Sequence, residues 1–122
     1  MFKAMTVTLE IAYANEIAAY RDARTANEKQ RAWHHLERAH ILGQLRFGLH
    51  IRSHLQMLGF AVALRDGQEI FGQLGRLALA PLGNLTGRLP IGNTGRAHVS
   101  AFMPMEIPEE LQRQIKDAGA EN

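Results

Sequence analysis

The sequence predicts an all-α fold: a compact bundle of about four helices, with a long Gly/Pro-rich irregular segment packed over it and a short C-terminal helix. Three observations carry this reading. Apolar residues recur at spacings of three and four from Leu9 to Ala80, the period of a helix that buries one face. Turn and cap signals cut that stretch into pieces of ordinary helix length. From Pro81 onward glycine and proline accumulate, and regular structure should end there. The 122 residues suit one domain, divided into a helical part over about 6–80, an irregular segment over 81–107 and a last helix over 108–117.

The first helix is expected from the stripe Leu9, Tyr13, Ile17 and Tyr20, capped by Thr6 or Thr8 and ending near Ala23–Arg24. Thr25-Ala26-Asn27-Glu28 has the form of a capping box, in which Thr and Glu satisfy each other's backbone donors. A second helix should follow it to about Leu42, with Ala32, Trp33, Leu36 and Ala39 inward and His40 on the same side. Gly43 and Gly48 bracket a turn. A third helix is expected over about Leu49–Arg65, carrying Leu55, Leu58, Val62 and Leu64. Asp66-Gly67 marks the next turn, and a fourth helix over about Gln68–Ala80 carries Ile70, Phe71, Leu74, Leu77 and Ala78. Val99–Met103 is expected as a short extended piece. Pro108-Glu109-Glu110 has the composition of a helical first turn.

Composition narrows the chemistry. There is no cysteine, so disulfides, thiolate nucleophiles and sulfur-ligated zinc are excluded. Any metal must be held by His, Asp, Glu or backbone oxygen. No run of about 18 apolar residues would span a membrane. The opening Met1–Thr6 lacks the apolar core of a signal peptide, so a cytoplasmic protein is expected. Charge is unevenly placed: Arg38, Arg46, Arg52, Arg65, Arg76, Arg88 and Arg96 face only Asp66 and Glu69 between Arg38 and Met105, within a net charge of +2. An anionic ligand or an acidic partner surface would be drawn there. Nucleic acid is disfavoured, because lysines are few and no recognition motif is present.

The residues that suggest chemistry are Glu37, His40, His50 and His54. Glu37 and His40 share a face at i, i+3, and His50 and His54 share one at i, i+4. A short turn makes the two helices antiparallel neighbours. In that register His40 falls opposite His50 and Glu37 opposite His54, on adjacent rungs. Three imidazoles and one carboxylate suit zinc, iron, manganese or copper; the lack of thiolates favours zinc, iron or manganese. Glu10 falls near His40 in the register of the first helix and is a further carboxylate candidate, and His98 is a further imidazole. Gln44, four residues after His40, is a candidate for holding a ligand in place by hydrogen bonding. The metal-free alternative is a buried hydrogen-bonded network that fixes helix packing. The loop Gly92-Asn93-Thr94-Gly95-Arg96, with Arg88 nearby, is a candidate anion nest of backbone N–H groups and a lid over the metal candidate. It has neither a Walker ending nor a preceding strand.

These motifs together resemble a family of small bacterial proteins of unknown function, about 120 residues long. The resemblance rests on Trp33–His40, Gly43-Gln44, His50 with His54, Met57-Leu58, Glu69–Gln73, Leu85–Arg88, Pro90 and Gly92–Gly95. It implies that the histidines and the loop belong to one design, and it implies no activity. The expected function is a divalent-metal site that serves a small metalloenzyme acting on an anionic small molecule. The alternatives are a non-catalytic metal carrier or sensor, and a metal-free helical module docking an acidic partner. A bundle this small could also pair with a second copy through an apolar face.

Overall fold

The computed structural model describes residues 8–120. Among the described residues five helices follow one another: α1 Leu9–Thr25, α2 Lys29–Gly43, α3 Phe47–Ala63, α4 Gly67–Thr86 and α5 Glu109–Ala120. No strand occurs among the described residues. Successive helices pack on each other, α1 on α2, α2 on α3 and α3 on α4, while α5 touches α1 and α2. None of the described helices is long and apolar enough to cross a membrane.

Local chemistry explains most of the boundaries. The Thr8 hydroxyl caps α1 by accepting from the Ile11 N–H; Thr6 lies outside the described residues. The expected capping box at Thr25–Glu28 does not form. Thr25 is still the last residue of α1, and Asn27 turns the chain at φ 59, a conformation that Asn tolerates. The Glu28 N–H then reaches back to the Ala23 carbonyl and the Asn27 N–H to the Arg24 carbonyl, which closes α1 in a Schellman motif. Glu28 pairs with Arg31 instead of capping α2. The same motif ends α3: Arg65 stands at φ 57, and the Asp66 N–H reaches the Ala61 carbonyl. The Asp66 carboxylate then caps α4 at the Glu69 N–H.

Three expectations shift. Gly48 lies inside α3, so the turn between α2 and α3 is only Gln44–Arg46. Pro81 does not end α4, which runs to Thr86 and stops at Gly87 with φ 71. A proline ring removes one donor from the ladder, and the residues beyond it keep helical geometry. The irregular stretch thus begins six residues later than expected, and Val99–Met103 is turn and bend, not an extended piece.

The core is Tyr13, Ile17 and Tyr20 of α1, Trp33, Leu36 and Leu42 of α2, Met57 and Phe60 of α3, and Leu111 of α5. The Phe60 ring stands edge-on to Tyr20 and tilted against Trp33, geometries that aromatic pairs prefer. Of the apolar residues expected to anchor α3 and α4, Leu64 and Ile70 pack against this core, while Leu55, Val62, Phe71 and Leu74 are exposed. Beside their apolar contacts these two helices bury polar side chains. His50, Ser53 and His54 come from α3, and Glu69 and Gln73 from α4. A buried polar face requires partners for every group, and those partners build the site.

Candidate metal centre

His40 of α2 and His50 and His54 of α3 bring one nitrogen each within 4.8 Å of one another. Their exposures are 2%, 5% and 2%. The Nε2 atom of His54 lies 3.2 Å from Nε2 of His40 and 3.2 Å from Nε2 of His50. The three rings form a near-equilateral cluster, with centroids 4.6–5.0 Å apart.

The other ring nitrogens are each tied to an oxygen. Nδ1 of His40 faces the Asn93 carbonyl at 2.8 Å. Nδ1 of His50 faces Asn84 Oδ1 at 2.7 Å, and Nδ1 of His54 faces Gln73 Oε1 at 2.7 Å. The two amides cannot be turned round. The Asn84 NH₂ donates to the Gln44 carbonyl, and the Gln73 NH₂ donates to Glu69 Oε2 and the Gly95 carbonyl. Each Nδ1 therefore meets an atom that only accepts and must carry the ring proton. Burial, with smaller contributions from neighbouring histidines and Arg76, holds His40 well below the usual histidine range. Burial likewise lowers His54 to about 4 and moves His50 downward. At neutral pH each ring keeps only its Nδ1 proton, and three Nε2 lone pairs converge with no hydrogen between them.

Above them opens a cavity of about 760 Å³. Its floor is the three imidazoles, and its walls include Leu79, Leu82, Leu89 and Phe102. Arg76 and Arg88 line it, and no Asp or Glu does. Residues 90–97 close one side. Gly95, at φ 84, lies so near that a Cβ there would stand 2.8–3.0 Å from the His40 ring. Glycine is required at that position both by the close approach and by the positive φ.

The other expected site residues stand apart. Glu37 does not join the histidines; Arg96 takes its carboxylate at 3.2 Å, and burial raises its pKa. Glu10 pairs with Arg46 at the surface. His98 is exposed, His34 is exposed, and His35 bonds Glu16 at 2.8 Å. Gln44 bonds no histidine. It donates to the Pro90 carbonyl and accepts from the Gly92 N–H, which pins the loop to the end of α2.

The loop is not arranged as an anion nest. The N–H groups of Gly92, Asn93, Gly95 and Arg96 point to Gln44 Oε1, the Pro90 carbonyl, Asn93 Oδ1 and the Thr94 hydroxyl. The Arg96 side chain is spent as well. Its Nε donates to Glu69 at 2.6 Å, its Nη1 to Glu37, and its guanidinium lies 3.7 Å over the Trp33 ring. What the loop supplies is the Asn93 carbonyl that orients His40 and the Gly95 carbonyl that orients Gln73.

The sequence offers Arg76 only as one of the basic residues and Gln73 only within the family motif, and it gives Asn84 no role. Counting the antiparallel register outward from the turn at Arg65–Asp66 places Arg76 and Leu77 opposite His54, with Gln73 about one helical turn nearer the connection. Asn84 is hidden in the sequence because Pro81 signals the end of a helix three residues before it.

No curated protein and no solved structure matches the chain. A family model does, over residues 7–115. That span takes in all three histidines, the residues that orient them and the loop, and the chain belongs to DUF3703, a family of proteins of unknown function.

Proposed function

We propose that the chain binds one divalent transition metal through Nε2 of His40, His50 and His54, with an open coordination position toward the cavity. The observation that carries this is the convergence of three unprotonated nitrogens whose tautomers are fixed from behind. Lone pairs 3.2 Å apart repel unless an electrophile lies between them. Metal–nitrogen bonds of about 2.0–2.1 Å in tetrahedral geometry place ligand nitrogens about 3.3 Å apart, which matches the two spacings that His54 makes with His40 and His50. Hydrogen bonds from each Nδ1 to an oxygen are the usual support of metal-bound histidine.

Three neutral imidazoles favour zinc, with iron and manganese as the next choices. Three protein ligands with one free position are the pattern of a site that meets a small molecule, whereas structural sites close with four. The carboxylate once expected as a fourth ligand, Glu37, is held by Arg96, which supports the open reading over a closed storage site. The metal would act there as a Lewis acid toward a ligand entering from the cavity.

The test is elemental analysis of untagged protein beside His40→Ala and His54→Ala, with circular dichroism to check the fold. One equivalent of metal in the wild type, lost in both folded variants, is expected. Equal metal content in all three proteins would overturn the reading. Cobalt(II) titration gives a second readout, since visible bands of a four-coordinate ion appear only when nitrogen ligands enclose it.

A further inference from the structure

The cavity over the histidines is built for a particular kind of guest. Its walls are hydrocarbon: Leu79, Leu82, Leu89, Phe102 and Pro104. Leu79, Leu82 and Phe102 are 42%, 60% and 76% exposed, so large apolar surface stands open at the mouth. The volume of about 760 Å³ lies within the range that small-molecule sites occupy, roughly 300–1,000 Å³.

Charge adds a second constraint. Only cations, Arg76 and Arg88, accompany the histidines in the lining. A divalent ion at the floor would leave that end strongly positive, so the guest's head must be an anion. Hydrogen-bonding capacity adds a third. Arg76 already donates to the Gly72 and Val99 carbonyls, and the loop N–H groups named above are spent within the loop or on Gln44. Among the described residues no acceptor holds the Arg88 guanidinium, and the two oxygens of a carboxylate match that single fork. A carboxylate can draw its main bond from the metal itself.

We propose, resting on the metal reading above, that the ligand of this site is a small monocarboxylate with an apolar body, its head on the open side of the metal and its chain along Leu79, Leu82 and Phe102. The site thereby discriminates by chain length. Each methylene buried in the cavity tightens binding by about fourfold.

The experiment uses the full chain loaded with one equivalent of cobalt(II), titrated separately with acetate, octanoate and octanol. Binding is followed by calorimetry and by the visible bands of the ion. Octanoate is expected to bind at least tenfold more tightly than acetate, and both are expected to shift the cobalt bands. Octanol is expected to leave the bands unchanged. Leu82→Gln, at an exposed position outside the core, should reduce the octanoate advantage at least about fourfold while leaving acetate affinity as it was. Octanoate binding no tighter than acetate, or binding without a change in the cobalt bands, overturns the inference and leaves the metal reading standing. Failure of cobalt to load at His40, His50 and His54 overturns both.

Discussion

Asn84 carries the sharpest consequence at the scale of single residues. It is half-buried, accepts from Nδ1 of His50 and donates to the Gln44 carbonyl. Asn84→Ala removes the orienting acceptor and leaves the ligand nitrogen itself in place. Loss of such a partner typically weakens metal affinity 10–100-fold, while the cost in stability should stay near 1 kcal/mol. Competitive titration against a chromophoric chelator reads the first, and urea unfolding the second. The histidines also set a pH dependence. Unfolded histidine titrates near 6.5, whereas His54 in the folded chain titrates at about 4 and His40 is lowered as well. Below pH 6.5 the unfolded chain binds the extra protons, so stability of the metal-free protein falls as pH drops through that window. His54 alone contributes a loss on the order of 3 kcal/mol by pH 4. Urea midpoints measured in chelator at pH 7.5 and pH 5 should differ in that direction; a higher midpoint at pH 5 would contradict it.

At the scale of elements, the loop over 90–97 acts as a clamp on α2. Gly95→Ala forces a Cβ against the His40 ring at a positive φ, a strain of about 1–3 kcal/mol. We expect a lower melting temperature together with weaker metal binding, because the strain falls on a proposed ligand. Gly75→Ala, where open space surrounds the position, should leave binding unchanged. The helices themselves were legible because Tyr13, Ile17, Tyr20, Trp33 and Leu36 keep helical spacing and all lie in the core. The burial of α3 and α4 was not legible, because the pattern of Leu55, Val62, Phe71 and Leu74 points to a face that stays exposed. Periodicity detects greasy stripes, and much of the inward stripe here is polar: His50, Ser53, His54, Glu69 and Gln73. The pairing of His40 with His50 was readable from register along the short turn. The capture of Glu37 by Arg96 was not, since the two stand 59 residues apart and no local pattern links them.

For the whole molecule the central joint is Arg96. It connects Trp33 and Glu37 of α2 to Glu69 of α4, and Glu69 also receives the Ala97 N–H and the Gln73 amide. Arg96→Ala would leave the Glu69 carboxylate, 3% exposed, buried without its counter-charge. Breaking a buried pair in this way costs about 3–5 kcal/mol. Glu37→Gln, at a more exposed carboxylate, should cost less than about 1 kcal/mol, and thermal unfolding of the two variants separates them. The long reach of these bonds also bears on biogenesis. His40 and the Asn93 carbonyl that sets its proton lie 53 residues apart. At a synthesis rate of roughly 5–20 residues per second, a nascent chain displays its histidines for several seconds before that carbonyl exists. Until then nothing on the chain directs the His40 proton to Nδ1. The segment that orients His40 is therefore translated after all three histidines, and under the proposed metal reading selective capture would belong to the finished chain.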